Sequence, residues 1–159
     1  MKRTAVTGAF LAALLTLGGA VTLASPAGAK AISKKAAGRQ YQALVNPANA
    51  AGNRFGVEAN KWTNSTTNAQ AEADAKPVIA AFNKLDRGLI DDRWPAGARA
   101  DVKSLVTGIA PVIGDLQSLS TISLLSASTW VTTFDRDVNG LKTAVAFVRH
   151  DLGLPRAKS

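Results

Sequence analysis

The sequence predicts an all-α fold, an up-down-up-down four-helix bundle, on three observations. Apolar residues recur at intervals of three and four in four separate segments, no stretch of comparable length alternates with the period of a strand, and short polar connections join the segments. Each segment in turn justifies the assignment. The first, from about Ser33 to Trp62, places Tyr41, Leu44, Val45, Ala48, Ala51, Phe55, Ala59 and Trp62 on one stripe at about 100° per residue, with Asn46, Asn49, Asn53 and Asn60 off it. The polar run "KWTNSTTN" ends it, and Thr67 with Gln70 three residues later forms a capping box for the second helix. That helix extends to about Ile90 and carries Ala71, Ala75, Val78, Ile79, Phe82, Leu85 and Leu89.

"DDRWPAG" turns the chain, with Pro95 expected as a first helical residue, where its fixed φ and missing N–H are tolerated. The third helix follows to about Gln117 through Ala98, Val102, Leu105, Val106, Ile109, Val112, Ile113 and Leu116. "SLSTISLLSAS" makes the last connection, with Leu119, Ile122, Leu124 and Leu125 expected against the end of the bundle. The fourth helix carries Trp130, Phe134, Val138, Leu141, Val145, Val148 and Leu152, then closes on Gly153 with Pro155 beyond. Pro47, Pro77 and Pro111 fall inside three of these helices, yet the apolar stripe keeps its phase across each. The prolines lie off the stripe, as expected of helices bent convex toward solvent.

The segment ahead of the first helix has the order of a secretory signal peptide. Lys2 and Arg3 precede an apolar run from Ala5 to Leu23, followed by Pro26 and the small residues Ala27 and Ala29. Residues 1–29 are expected to be removed, leaving residues 30–159 as a single helical domain without a membrane-spanning segment. Without Lys2 and Arg3 the 19 bases fall to 17 against 11 acids, a net charge of +6. Lys30, Lys34, Lys35 and Arg39 crowd the new terminus and are the candidate envelope-binding residues. Their expected partners are anionic envelope components such as lipid head groups or acidic cell-wall polymers, or an exported protein; no nucleic acid is expected.

Catalytic equipment is sparse. The chain has no cysteine, which excludes thiolate catalysis, zinc–thiolate sites and a lipid-modified cysteine anchor. Its single histidine, His150, lies half a turn from Leu141 on the wheel of the fourth helix and is expected to face solvent, too solitary for a metal site. No E-x-x-H pair or G-x-S-x-G elbow occurs. No metal, cofactor or catalytic residue is therefore expected. Asp137 falls at the edge of the buried stripe, and a cation on another helix, Arg54 or Arg99, is its expected partner; no second acid beside it is apparent for acid–base work. Trp62, Trp94 and Trp130 sit near helix ends, where an indole packs its ring and leaves its N–H wet.

"YQALVNPANAAGNRFGVEANKW", "WPAGARADVKSLV", "STWVTTFDRDV" and "VRHDLGLP" together resemble small helical proteins exported by actinobacteria, a group without an assigned function. The resemblance spans nearly the whole mature chain. It implies an extracytoplasmic location and a helical architecture, and it carries over no active residue. Many such relatives look like lipoproteins with a cysteine at the cleavage site. Lys30 follows Ala29 here, which favours release or retention by charge over a lipid tether. The combined expectation is a secreted, envelope-associated, non-catalytic bundle that acts as a binding or structural module. The alternative is a carrier of an apolar small molecule, held between the helices near Tyr41, Trp62 and Trp130.

Overall fold

The structure, a computed structural model, describes residues 32–90, 93–122 and 127–156. The expected leader, Lys30, and the connection residues Leu124 and Leu125 lie outside the described residues. The described residues form four α-helices, α1 (Lys34–Ala59), α2 (Asn68–Leu89), α3 (Arg99–Ser118) and α4 (Ala127–Asp151), with a 3-10 turn at Ala96–Ala98 leading into α3. No strand occurs among the described residues, so the chain is all-α.

Local chemistry sets the helix ends. Ser33 caps α1 by accepting a hydrogen bond from the Ala36 N–H. The capping box at Thr67 is complete, its hydroxyl accepting from the Gln70 N–H while the Gln70 side chain accepts from the Thr67 N–H at 2.8 Å. α1 stops at Ala59, three residues short of Trp62, because the following turn has its own local bonds. The Thr63 N–H donates to the Thr66 hydroxyl at 2.8 Å and the Thr66 N–H to the Thr63 carbonyl at 3.1 Å, which compete with helix continuation. Pro95 does not open α3 directly. It precedes the 3-10 turn, whose Ala98 N–H donates back to the Pro95 carbonyl at 2.9 Å. At the far end Gly153 adopts φ 68°, the Leu154 N–H donates to the Arg149 carbonyl and the Gly153 N–H to the His150 carbonyl. This is the paired arrangement of a Schellman cap.

The stripes read from the sequence form the core. Tyr41, Val45, Ala48, Phe55, Val78, Phe82, Leu85, Leu105, Ile109, Val112, Leu116, Phe134, Val138, Leu141, Val145 and Val148 are all buried in one cluster. Leu44, Trp62, Ile79, Val106, Ile113 and Trp130 are half-buried against it. Pro47, Pro77 and Pro111 lie inside continuous helices and are exposed, so the carbonyls that lose a partner at each proline turn toward water. Asn49 departs from expectation: it is fully buried. α1 buries a broader face than the apolar stripe alone, with the small residues Gly38 and Gly52 buried beside it.

Contacts between the helices show which of their ends meet. A Cβ at Gly88 would meet Leu44, and the Trp62 indole N–H reaches Asp74, which pairs the start of α1 with the end of α2 and the reverse. Asn68 at the start of α2 donates to the Ser120 and Ile122 carbonyls beyond the end of α3. α4 meets α1 through Phe55 and Phe134 at one end, and through Gly38 and Leu154 at the other. The start of α1 and α3 and the end of α2 and α4 therefore share one end of the molecule.

Candidate functional site

That shared end is strongly basic. Of the 15 described Lys and Arg residues, 11 lie in this half of the helices or in its connections, against three described acids, Asp86, Asp101 and Asp151. The opposite half holds four bases, Arg54, Lys61, Lys76 and Arg136, and six acids, Glu58, Glu72, Asp74, Asp115, Asp135 and Asp137. Asp91 and Asp92 lie outside the described residues, and two acids cannot offset a surplus of eight bases. Lys34, Lys35 and Arg39 are exposed on the first two turns of α1. No acid occupies that first turn, so the two lysines face the positive end of the helix dipole, an arrangement unfavourable by about 0.3–1 kcal/mol per charge.

At the same end a second cation is hidden. Arg149 is 4% exposed on α4, with its Nε donating to the Pro155 carbonyl at 2.9 Å. Tyr41 of α1 is fully buried, with no hydrogen-bond partner for its hydroxyl. Burial pushes the Tyr41 hydroxyl above the usual phenol range, and the Arg149 charge pulls in the other direction. His150 is exposed, as its wheel position requires, and its Nδ1 lies 3.1 Å from an Asp151 carboxylate oxygen.

The other end is aromatic and acidic. Trp130 stacks on Phe134 with ring centroids 4.9 Å apart, Phe134 meets Phe55 edge to face at 6.4 Å, and Phe55 meets Trp62 edge to face at 5.6 Å. Trp62 and Trp130 are thus joined by one ladder of rings. Tyr41 is not part of it: Phe55, on which Trp62 packs, lies 14 residues further along α1, about 21 Å at 1.5 Å per residue, so the three aromatics do not line one pocket. The indole N–H groups are not wet either. Trp62 donates to the Asp74 carboxylate at 2.9 Å, Trp94 to the Leu89 carbonyl at 2.9 Å, and Trp130 to the Asp115 carbonyl at 2.8 Å. Leu89 and Asp115 belong to the last turns of α2 and α3, whose carbonyls lack partners within the helix, and the indoles satisfy them.

Asp137 has a different neighbourhood from the expected one. It pairs with its chain neighbour Arg136 at 2.8 Å rather than with Arg54 or Arg99, because it faces α3 at the end far from Arg99. There it meets the second acid that sequence inspection did not identify, Asp115. Burial, then the Asp137 charge and a hydrogen bond from one carboxyl to the other, raise Asp115 above the usual carboxylate range, against the pull of Arg136. A matching pair, Asp101 with Asp151, stands at the basic end, where burial and then Asp151 raise Asp101. The signal was in the spacing: Asp101 and Asp115 are 14 residues apart on α3, as are Asp137 and Asp151 on α4, so each set shares a helix face. Among the described residues no three His, Asp or Glu side chains converge to hold a metal ion, and no helix is long and apolar enough to cross a membrane.

No protein-family model matches the chain, and neither a curated protein nor a solved structure is detectably similar to it.

Proposed function

We propose that the protein is an exported, non-catalytic up-down-up-down bundle, its helices bent at Pro47, Pro77 and Pro111, that binds anionic components of the cell envelope through its basic end. The observation that carries this proposal is the charge separation, 11 bases against three acids in one half and four against six in the other. A basic end of this kind draws the molecule end-on toward a polyanionic surface. Lys34 and Lys35 add support, because their charges oppose the α1 dipole and so work against the stability of the helix. The carrier alternative has less support: Tyr41 stands apart from the two tryptophans, and the aromatic rings pack on one another.

Sedimentation with isolated envelopes tests the proposal. Exposed charges act over a Debye length of about 10 Å at 0.1 M salt and about 3 Å at 1 M. Mature protein is expected to pellet with envelopes at low salt and to be released at high salt. Replacing Lys30, Lys34, Lys35 and Arg39 with Gln should weaken retention while leaving the helical circular dichroism intact. Retention that survives both treatments would exclude electrostatic docking. Export is tested by N-terminal sequencing of secreted material, which should begin "KAISK"; an intact Met1 in the medium would refute cleavage.

A further inference from the structure

We propose that the basic end docks on an anionic lipid bilayer, with Ile90 and Phe147 entering the lipid as apolar anchors on either side of the start of α3. This rests on the envelope-binding proposal and names the component bound, a lipid surface rather than an acidic polymer. Three large apolar side chains are exposed among the described residues, Ile90 at 63%, Phe147 at 56% and Val57 at 56%. Isolated exposed apolar groups are ordinary on a protein surface, so their setting matters more than their number. Ile90 caps the end of α2, and Phe147 lies four residues, about 6 Å, before the end of α4, so both belong to the basic half. Val57 lies near the end of α1, in the half where acids outnumber bases. Asp91 and Asp92 follow Ile90 in the sequence; counting them, the basic half still carries 11 bases against five acids.

The helix register turns both anchors to the same side of the bundle. Gly88 of α2 faces Leu44 of α1, and Ile90 follows it by two residues, about 200° around the helix. Phe134 of α4 meets Phe55 of α1, and Phe147 follows it by 13 residues, about 220° beyond whole turns. Each anchor therefore lies away from α1, on the side of α3, which packs between α2 and α4. Arg99 and Lys103 stand exposed one turn apart at the start of α3, so basic side chains separate the two apolar ones. The described acids of α3 and α4 at this end, Asp101 and Asp151, are half-buried. Such a surface suits a bilayer, where the bases meet anionic head groups and the apolar side chains gain by entering the boundary of the acyl region. An acidic polymer would satisfy the bases and leave both apolar groups in water. A protein partner would be met by a contiguous apolar core, and here bases divide the two anchors.

The chain has no cysteine, so the single substitutions Ile90→Cys, Phe147→Cys and Val57→Cys can each carry one NBD dye, whose emission rises and shifts to the blue on leaving water. All three positions are exposed, and labelling is expected to leave the helical circular dichroism unchanged. With phosphatidylglycerol vesicles at low salt, the dyes at positions 90 and 147 should respond and the dye at position 57 should not. Phosphatidylcholine vesicles should produce no response. The unlabelled double variant Ile90→Ser, Phe147→Ser should fold as the wild type does. It should bind phosphatidylglycerol vesicles at least about tenfold more weakly, because the apolar area of two side chains no longer enters the lipid. Vesicle binding with a silent dye at position 90 or 147, or with undiminished affinity in the double variant, would overturn the insertion and leave the envelope proposal standing as electrostatic docking. A response at position 57 equal to that at the other two would overturn it as well. Envelope retention without vesicle binding would overturn the lipid surface and assign the basic end to an acidic polymer or a protein. Vesicle binding with the expected dye responses but no envelope retention would keep the docking surface and end the envelope proposal, and the loss of both would end both.

Discussion

Gly153 stands at φ 68°, a backbone conformation that costs an L side chain about 1 kcal/mol or more, and two cap hydrogen bonds depend on it. Gly153→Ala should therefore lower unfolding free energy in urea by about 1–2 kcal/mol. Gly114 and Gly140 are the opposite case: both lie inside helices, and a Cβ at either meets nothing within 4 Å. Gly114→Ala and Gly140→Ala should each stabilise by about 0.5–1 kcal/mol, by removing backbone freedom from the unfolded chain. A loss of stability in either would show a contact that the free space does not suggest. His150, with its side chain 87% exposed, should tolerate Ala within about 0.5 kcal/mol.

Between elements, acids of α3 and α4 act on one another: Asp151 raises Asp101, and Asp137 raises Asp115. Asp115 has a folded-state pKa raised above its ordinary 3.8 by burial and then by Asp137. The stability it contributes is fully present below the unfolded value and is lost as pH rises through the folded one, when Asp115 ionises. Asp115→Asn keeps the shape and can donate to Asp137 at every pH. It is expected to raise the melting temperature at pH 7, by no more than about 1 kcal/mol equivalent because the pair is partly solvated, and to leave it unchanged at pH 3. Equal effects at both pH values would exclude the shared proton. In the shared core, Leu105 of α3 is fully buried, and Leu105→Ala should cost about 2–5 kcal/mol in urea unfolding.

For the whole molecule, the charge separation predicts a preferred orientation at an anionic surface. Lys61 and Lys76, at the far end, form exposed ion pairs with Glu58 at 2.8 Å and with Glu72 at 3.2 Å. Such pairs contribute well under about 1 kcal/mol to stability, so replacing both lysines with Gln should leave the fold intact. Envelope retention should also be unchanged, although the double variant removes two of the four bases at that end. If retention falls as far as it does on replacement at the α1 terminus, net charge rather than its placement governs binding.

The four helices, the capping box at Thr67, the glycine stop at Gly153 and nearly every core residue were legible in the sequence. They depend on interactions within three or four residues and on a 3.6-residue period, and both are written along the chain. The outward placement of His150 was legible for the same reason. What one helix presents to another was not. The neighbours of Asp137, the burial of Asn49 and Arg149, the carbonyl partners of the three indoles and the separation of Tyr41 from Trp62 all depend on how each helix is rotated and set in register against its neighbours. Periodicity shows which face of a helix is buried. The tertiary structure alone decides which residues oppose one another there, because side-chain packing across two surfaces, and not local propensity, fixes that rotation and register.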